Sequence, residues 1–399
     1  MAGLRRMLAL TALPSFDNAW PSSSDAWPIS KAGRRERDRI LDAAAAEGTD
    51  GADGTALLRA AVLRQMEEED AGFAAGVRAY RDHPWRRDMP EPPTLWSEGC
   101  VRVLDFGGQG RPVLFVPSLI NRAYVLDLAP GASMLRYLAE EGVRPLLLDW
   151  GTPGPAERGF TLTDHIAGPL ERALAALPGP VVLAGYCMGG LLTLAAALRQ
   201  PERVAALALL ATPWNFHAGP DAPARGRSLA KLLPALEPAM ELAGALPTEM
   251  VQALFAALDP WGIARKFRRF GKERPDTDRA RLFVALEDWL NDGVPLAAPV
   301  ARSCFQDWYG RNDTARLAWR VAGAVVDPAD WAGPLFVAVP RADRIVPPAS
   351  ALALALRAGQ GRASMTLHEA GAGHIGMVAG PMARSALWRP LLGWLRSLP

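Results

Sequence analysis

The sequence predicts an α/β fold in which a mostly parallel central sheet carries helices on both faces. Three observations lead to this prediction. From residue 101 onward, short apolar segments alternate with longer segments of helical periodicity, which is the pattern of βαβ units. The alternation stops near residue 214 and resumes after residue 332. A glycine-flanked turn at 185–190 joins one of the apolar segments to a helical one.

The individual elements follow from periodicity. The clearest predicted strands span residues 113–117, 144–150, 181–186 and 204–210. Helical patterns fit between them at 132–141, 163–177 and 189–199. The strand pattern returns at 335–340 and 364–368. We therefore expect one sheet that is interrupted by a single large insertion.

The chain divides into three parts. Residues 1–100 form a predicted helical N-terminal appendage, with an irregular Ser-, Pro- and Trp-rich arm at 15–28 and helical patterns at 34–46 and 55–80. The predicted α/β core comprises 101–213 and 333–399. Residues 214–332 are mostly helical in pattern and predict a cap or lid, because a structureless loop of that length is improbable in a compact domain.

Composition limits the classes of function. Half of the 399 residues are hydrophobic, 22% are charged and the net charge is +2, so we expect no nucleic-acid partner. The chain has three cysteines, Cys100, Cys187 and Cys304, which are far apart in the sequence. Their odd number excludes a complete disulfide framework, their spacing does not fit a metal site, and a reducing cytoplasm is therefore favoured.

No segment approaches the roughly 18 apolar residues that a membrane helix needs. The apolar run at 7–13 is short for a secretory signal, and no cleavage site follows it. We expect no metal and no organic cofactor.

A nucleophile elbow is the strongest motif. The sequence GYCMGG at 185–190 follows a predicted strand and precedes a predicted helix, which is the context that a G-x-nucleophile-x-G turn requires. Side chains at Gly185 and Gly189 would collide with neighbouring backbone in this strained turn. The positive end of the following helix favours the thiolate of Cys187. The motif predicts an α/β-hydrolase fold with Cys187 as its nucleophile.

The chain order of this fold predicts the partners of Cys187. An acid and then a histidine follow the nucleophile, each on a loop after a late strand. Asp343 follows the strand at 335–340, and His374 lies in a glycine-rich loop after the strand at 364–368. Asp327 and Asp330 are rivals to Asp343, but they precede the strand at 335–340.

An oxyanion hole in this fold uses two backbone N–H groups. One belongs to the residue after the nucleophile, which is Met188. The other comes from the loop after an early strand, here 117–122. Leu119 or Ile120 supplies it, and the sequence leaves open which one.

The stretch 101–395 resembles the catalytic subunit of the poly(3-hydroxyalkanoate) synthases. The likeness rests on six segments in order, VPSLINRAYVLDL at 116–128, LDWGTP at 148–153, GYCMGG at 185–190, WLND at 289–292, DRIVPP at 343–348 and GHIG at 373–376. The resemblance implies that Cys187, Asp343 and His374 match the family's catalytic triad. It further implies an acyltransferase that polymerises (R)-3-hydroxyacyl-coenzyme A, a homodimer or a second synthase subunit as partner, and a place at the surface of polymer granules.

The chain departs from the family pattern at three places. A Thr-Pro-x-Asp-Phe pattern is usual after the strand that follows the elbow, whereas this chain has Asn215. Arg344 stands where histidine is common, and residues 1–100 are fewer than in single-subunit synthases. The overall size is similar to that of the short class of synthase, which needs a second subunit.

Two alternative functions stay open. One is a cysteine hydrolase, either a thioesterase, a polyester depolymerase or an enzyme like dienelactone hydrolase, whose elbow is similar to this one. The other, from a different class, is a non-catalytic granule-associated scaffold. Products and thiol reactivity distinguish them.

Overall fold

The computed structural model describes residues 31–47 and 51–399. The arm predicted at 15–28 and the apolar run at 7–13 lie outside the described residues. In the described part the strands are β1 (Thr94–Glu98), β2 (Val101–Asp105), β3 (Pro112–Val116), β4 (Arg144–Asp149), β5 (Val181–Tyr186), β6 (Val204–Leu210), β7 (Ala245–Leu246), β8 (Leu296–Ala297), β9 (Arg320–Val321), β10 (Ala324–Val325), β11 (Pro334–Pro340) and β12 (Ser364–Ala370).

Eight of these strands form one sheet in the order β1-β2-β4-β3-β5-β6-β11-β12. The six strands from β4 to β12 are parallel to their neighbours, whereas β2 pairs antiparallel with both β1 and β4. The short pairs β7–β8 and β9–β10 are separate antiparallel ribbons. The prediction of a mostly parallel sheet is confirmed.

The α-helices of the described residues are α1 (Lys31–Glu47), α2 (Gly51–Arg81), α3 (Met134–Glu140), α4 (Leu162–His165), α5 (Glu171–Ala176), α6 (Met188–Arg199), α7 (Ala222–Ala230), α8 (Leu233–Ala243), α9 (Thr248–Ala256), α10 (Pro260–Phe270), α11 (Asp278–Asn291), α12 (Ala298–Arg302), α13 (Pro348–Ala358), α14 (Gly376–Ala379) and α15 (Arg389–Ser397). Three wider π-helical segments occupy Ile166–Leu170, Ser303–Gly310 and Arg384–Trp388.

The helix predicted at 163–177 is broken in its middle. Gly168 has a non-helical backbone conformation, and Pro169 follows it directly. Proline lacks an N–H group and disfavours a helical conformation at the residue before it, so the chain is split into α4, a π-helical turn and α5.

Both faces of the sheet are covered. One apolar layer contains the buried residues of α6 and α13, including Leu191, Leu194 and Leu354. The opposite layer contains those of α3 and α15, including Leu135 and Leu391. Each face of the sheet thereby removes its apolar side chains from water. The predicted helices on both faces are confirmed.

Strand β1 was not expected, because its residues fall within the predicted helical appendage of residues 1–100. Its side chains are exposed apart from the half-buried Trp96, and it pairs with β2 at the edge of the sheet. An exposed edge strand lacks the apolar pattern from which a buried strand is predicted.

The chain separates into two compact units. The larger comprises Trp85–Leu258 and Arg281–Pro399, and the smaller comprises the described residues up to Pro84 with Asp259–Ala280. These bounds differ from the predicted ranges, since 259–280 falls within the predicted cap. In the smaller unit, a side chain at Gly76 would place Cβ 1.9 Å from the Phe267 carbonyl oxygen, so only glycine permits this approach.

The smaller unit holds α10 against α2 through aromatic contacts. The Phe267 ring meets those of Phe73 and Tyr80 edge-on, each at 5.9 Å between centroids. Arg268 also forms an ion pair with Glu69. Within the ranges that the structure describes, no helix has both the length and the apolar character that crossing a bilayer requires.

Candidate active site

Cys187 lies at a sharp turn between β5 and α6. Its backbone has φ 57° and ψ −128°, a conformation that is strained for a residue with a side chain. The Cys187 N–H donates to the Leu210 carbonyl oxygen at 2.9 Å, which secures the turn to the neighbouring strand β6. The thiol is half-buried, at the carboxyl end of a strand and the amino end of a helix.

The glycines around Cys187 permit close packing of this turn. A Cβ atom at Gly185 would lie 2.4 Å from the Gly190 Cα, and one at Gly189 would lie 2.0 Å from the Val116 carbonyl oxygen. Gly190 is subject to the same restriction, since its Cβ would lie 1.8 Å from Thr212 Oγ1. The requirement for glycine at position 190 was not predicted, although the doubled glycine of the motif was a signal for it.

His374 and Asp343 form a buried pair. His374 Nδ1 donates to Asp343 Oδ2 at 2.6 Å, and the Asp343 side chain has no exposed area. The other carboxylate oxygen, Oδ1, accepts the backbone N–H groups of Ile345 and Val346, both at 2.8 Å. Three hydrogen bonds therefore fix the carboxylate and present Oδ2 to the imidazole.

Sheet topology brings Cys187, Asp343 and His374 to the same edge. They follow β5, β11 and β12, which lie on one side of the sheet in the order β5-β6-β11-β12. All these strands are parallel, so their carboxyl ends share an edge, where open α/β sheets form their sites.

The surroundings of His374 favour its charged form. Burial alone disfavours an imidazolium, but the charge of Cys187 and hydrogen bonds to Asp343 and Cys187 outweigh burial and raise the pKa of His374 to about 10. An imidazolium beside a thiolate is the arrangement that makes a cysteine nucleophilic at neutral pH.

The other four histidines have structural contacts. A ring nitrogen of each lies within hydrogen-bond distance of a backbone carbonyl oxygen, and the pairs are His83 with Pro275, His165 with Thr161, His217 with Tyr309 and His368 with Ala386. Asp327, a rival of Asp343, accepts the Ala329 N–H and is paired with Arg357. Asp343, by contrast, pairs with His374 at the carboxyl end of the sheet.

Two indole groups hold the ends of the loop 117–122. Trp150 Nε1 donates to the Pro117 carbonyl oxygen at 3.0 Å, and Trp289 Nε1 donates to the Arg122 carbonyl oxygen at 2.8 Å. Asn121 has φ 65°, in the left-handed region that asparagine tolerates. The contacts bring together three of the six sequence segments that carried the family resemblance.

The predicted oxyanion residues lie on this loop and at the elbow. Leu119 is buried, and the Ile120 N–H donates to Ser118 Oγ at 3.0 Å. Met188 is the first residue of α6, and N–H groups in a first helical turn have no partner within their own helix.

Further residues surround the candidate site. Burial raises the pKa of the Cys304 thiol and of the Tyr309 hydroxyl, and the charge of Cys187 adds to both effects. Both residues belong to the π-helical segment Ser303–Gly310. This segment lies within the predicted cap, 214–332, and its proximity to Cys187 was not predicted. No metal-ligand cluster occurs among the described residues.

Comparisons with known proteins identify the fold family of the chain. The family model of the alpha/beta hydrolase fold matches residues 111–381. The chain is 27% identical over 311 residues to the poly(3-hydroxyalkanoate) polymerase subunit PhaC of Haloferax mediterranei, covering 75% of this chain and 62% of that protein. The same-named subunit of Allochromatium vinosum is 29% identical, covering 61% of this chain and 69% of its own length.

The corresponding protein of Synechocystis is 28% identical and covers 71% of this chain and 77% of its own length. The match thus spans less than two thirds of the Haloferax protein and more than two thirds of the Allochromatium and Synechocystis proteins. The resemblance predicted from six sequence segments is confirmed by these relatives, and the chain belongs to the α/β-hydrolase fold family.

Proposed function

We propose that the protein is an acyltransferase that polymerises (R)-3-hydroxyacyl-coenzyme A and releases coenzyme A. Cys187 is the nucleophile, His374 the acid and base, and Asp343 the residue that orients His374. The observation that carries this proposal is the half-buried elbow thiol beside the bonded pair His374–Asp343, in a chain whose relatives are named polymerases.

Acylation begins from the thiolate of Cys187 and the imidazolium of His374. The thiolate attacks the thioester carbonyl carbon, and the oxyanion accepts hydrogen bonds from the backbone N–H of Met188 and of Leu119 or Ile120. The bond from carbon to the sulfur of coenzyme A then breaks. The departing thiolate takes the proton of His374, which leaves an acyl-cysteine and a neutral imidazole.

Acylation itself prepares His374 for the second step. The charge of Cys187 is the largest of the effects that raise the pKa of His374, and the acylated sulfur no longer carries it. The imidazole is then free to act as a base and takes the proton of the 3-hydroxyl of the next unit. That oxygen attacks the acyl-cysteine, an oxyester forms, and the thiolate and imidazolium return. The transfer from thioester to oxyester is downhill.

Water must be kept from the acyl-cysteine for a chain to grow. In this proposal residues 214–332 supply the cover, 101–213 and 333–399 the catalytic core, and residues 1–100 an accessory part. A contact that supports the cover is the ion pair from Asp292 to Arg122, on the loop that bears Leu119 and Ile120. Exclusion of water is a known role of such covers.

We further propose that the protein contacts the growing polyester and that its protein partner is either a second copy of the chain or a second synthase subunit. The proposed location is the surface of polymer granules.

Incubation of the pure protein with 3-hydroxybutyryl-coenzyme A tests the proposal. We expect thiol release together with polymer. The Cys187→Ala variant should be folded and release no thiol, whereas the matched variant Cys100→Ala should retain release, because Cys100 donates to the Trp150 carbonyl oxygen and has no assigned catalytic role. Thiol release by Cys187→Ala would refute the nucleophile assignment.

Other outcomes identify the alternative functions. Thiol release with only free acid as product means that water is the acceptor, and the protein is then a hydrolase. No release, with equally slow alkylation of Cys100, Cys187 and Cys304, means a scaffold. Burial raises the pKa of Cys100 and of Cys304, so both are slow internal references for the alkylation of Cys187.

A further inference from the structure

Tyr186, the residue before the nucleophile, contacts His374 in two ways. Its hydroxyl donates to the His374 backbone carbonyl oxygen at 3.2 Å. Its ring lies 5.1 Å from the imidazole between centroids, at an interplanar angle of 32°. The side chain is buried, and it packs in the apolar layer opposite to the one that contains α6. One strand end therefore carries both the nucleophile and a group that touches the base.

The backbone of the His374 loop is held on the side that follows the histidine, where the Met377 N–H donates to the Gly373 carbonyl oxygen at 3.0 Å. Three glycines, at 371, 373 and 376, surround the histidine, and glycine gives a backbone more freedom than any other residue. The bond from the Ala342 N–H to the Ala372 carbonyl oxygen is long, at 3.5 Å. Asp343 fixes the imidazole ring through Nδ1 but makes no hydrogen bond to the His374 backbone.

The hydroxyl of Tyr186 is suited to this contact. A carbonyl oxygen only accepts hydrogen bonds, so the hydroxyl must donate. Burial, followed by the charges of Cys187 and Asp343, raises the pKa of Tyr186 well above its ordinary value, and the hydroxyl keeps its proton over the whole working range of pH.

We propose that Tyr186 is a positioning residue that ties the loop of His374 to the elbow of Cys187. Tyr186 and Cys187 are adjacent in the chain at the end of β5. The hydrogen bond from the Tyr186 hydroxyl therefore holds the His374 backbone at a fixed distance from the residue that carries the thiol. The distance between thiol and imidazole is thereby kept in both half-reactions. This inference rests on the assignment of Cys187 and His374 as the reacting pair in the proposed function.

The Tyr186→Phe variant removes the hydroxyl and keeps the ring. We expect alkylation of Cys187 by iodoacetamide at pH 7 to slow roughly 10–100-fold, the scale expected when reacting groups are misplaced by about 1 Å. The rate should recover at higher pH, because free hydroxide then removes the thiol proton. A loss of stability alone would not shift this pH profile in folded protein.

Tyr137→Phe is the matched control. Tyr137 packs in the same apolar layer, with its ring 5.4 Å from that of Trp388, and no catalytic role is assigned to it. Its alkylation profile should equal that of the unaltered protein. An unchanged profile in folded Tyr186→Phe protein would overturn the inference.

A double-mutant cycle with His374→Gln tests whether Tyr186 acts through the histidine. In the His374→Gln background, the further change Tyr186→Phe should leave the alkylation rate unaltered. An equal slowing in both backgrounds contradicts the proposal. Should Tyr186→Phe fold poorly, hydrogen exchange of the amides at 371–377 in its folded fraction is the second measurement, and faster exchange there than in Tyr137→Phe is expected.

Iodoacetamide is not an acyl-coenzyme A, so the two proposals fail separately. A protein that makes no polymer but shows the shifted alkylation profile loses the proposed function and keeps the role of Tyr186. A protein that makes polymer and shows no shift keeps the function and loses this role.

Discussion

Replacement of Asp343 by asparagine should abolish most of the activity without unfolding the protein. Oδ1 of Asp343 accepts two backbone N–H groups, from Ile345 and Val346, at 2.8 Å each. An asparagine at this position must keep its carbonyl oxygen there, because its amide group has no acceptor site for those N–H groups. The amide NH₂ then faces His374 Nδ1, where Oδ2 now accepts at 2.6 Å.

Two donors cannot face each other, so His374 must turn or change its tautomer. The tautomer that accepts from the new amide carries its proton on Nε2 and has no free site for the proton of a thiol or hydroxyl. The comparable change in a serine-protease triad costs roughly 10⁴-fold in rate. A loss of that size corresponds to about 5.5 kcal/mol of transition-state stabilisation. We expect roughly 10³–10⁴-fold slower thiol release from 3-hydroxybutyryl-coenzyme A, followed in single-turnover experiments.

The matched control is Asp327→Asn. Asp327 is also buried and also bonds to a backbone N–H, that of Ala329, but its charged partner is Arg357. This variant should lose stability and retain thiol release. A folded Asp343→Asn protein that loses less than roughly tenfold in rate would refute the assignment of Asp343 as the residue that orients His374.

Three further predictions follow from the same geometry. Gly189→Ala should lower the free energy of unfolding by roughly 1–3 kcal/mol in thermal melts, because its Cβ would lie 2.0 Å from a carbonyl oxygen. Gly393→Ala is the control and should cause no such loss, because a Cβ at Gly393 would meet no atom within 4 Å. Trp289→Phe should slow acylation but not alkylation by iodoacetamide, which needs no oxyanion hole; equal slowing of both reactions would contradict its role at the loop 117–122. Because the pKa of His374 is about 10 in the folded protein and about 6.5 in the unfolded chain, protonation of His374 contributes to the free energy of unfolding. This contribution is complete below about pH 6.5 and is lost as pH rises through about 10. In urea titrations of Cys187→Ala this stability should be lost at lower pH than in the unaltered protein. The same pH dependence in both proteins would exclude the charge of Cys187 as the cause of the raised pKa of His374.

The strands that hold the site were predictable because they are buried on both faces. Residues 181–186 and 204–210 are continuous apolar runs, and the structure has β5 and β6 with these bounds. Short turns with special geometry were predictable as well, since the elbow needs glycine at fixed places. Chain order then selected Asp343 and His374, which the structure joins by a hydrogen bond. These elements are predictable because each imposes a strong local requirement on the sequence, either burial on both faces of a strand or glycine in a tight turn.

Contacts between distant segments were not predictable from local patterns. No periodicity indicates that Gly76 of α2 approaches Phe267 of α10, nearly 200 residues later, because a glycine gives the same sequence signal in a loop as at a close helix contact. The sequence likewise does not predict the hydrogen bond of the Trp289 indole, since a tryptophan in a helical pattern is interpreted first as a large apolar side chain of the core. Its hydrogen bond to the Arg122 carbonyl oxygen depends on tertiary structure alone.

The departures from the family pattern lie where the structure tolerates them. Asn215 uses its side-chain oxygen, which accepts from Asn312 Nδ2 at 2.9 Å and from the His217 N–H at 3.0 Å. A carboxylate would accept the same two donors, so asparagine preserves the network and changes only its charge. Arg344 is exposed, whereas the neighbouring Asp343 is buried and turned towards His374. A side chain on the outside of that turn leaves the three hydrogen bonds of Asp343 in place, and neither departure removes a group that the proposed acyl transfer uses.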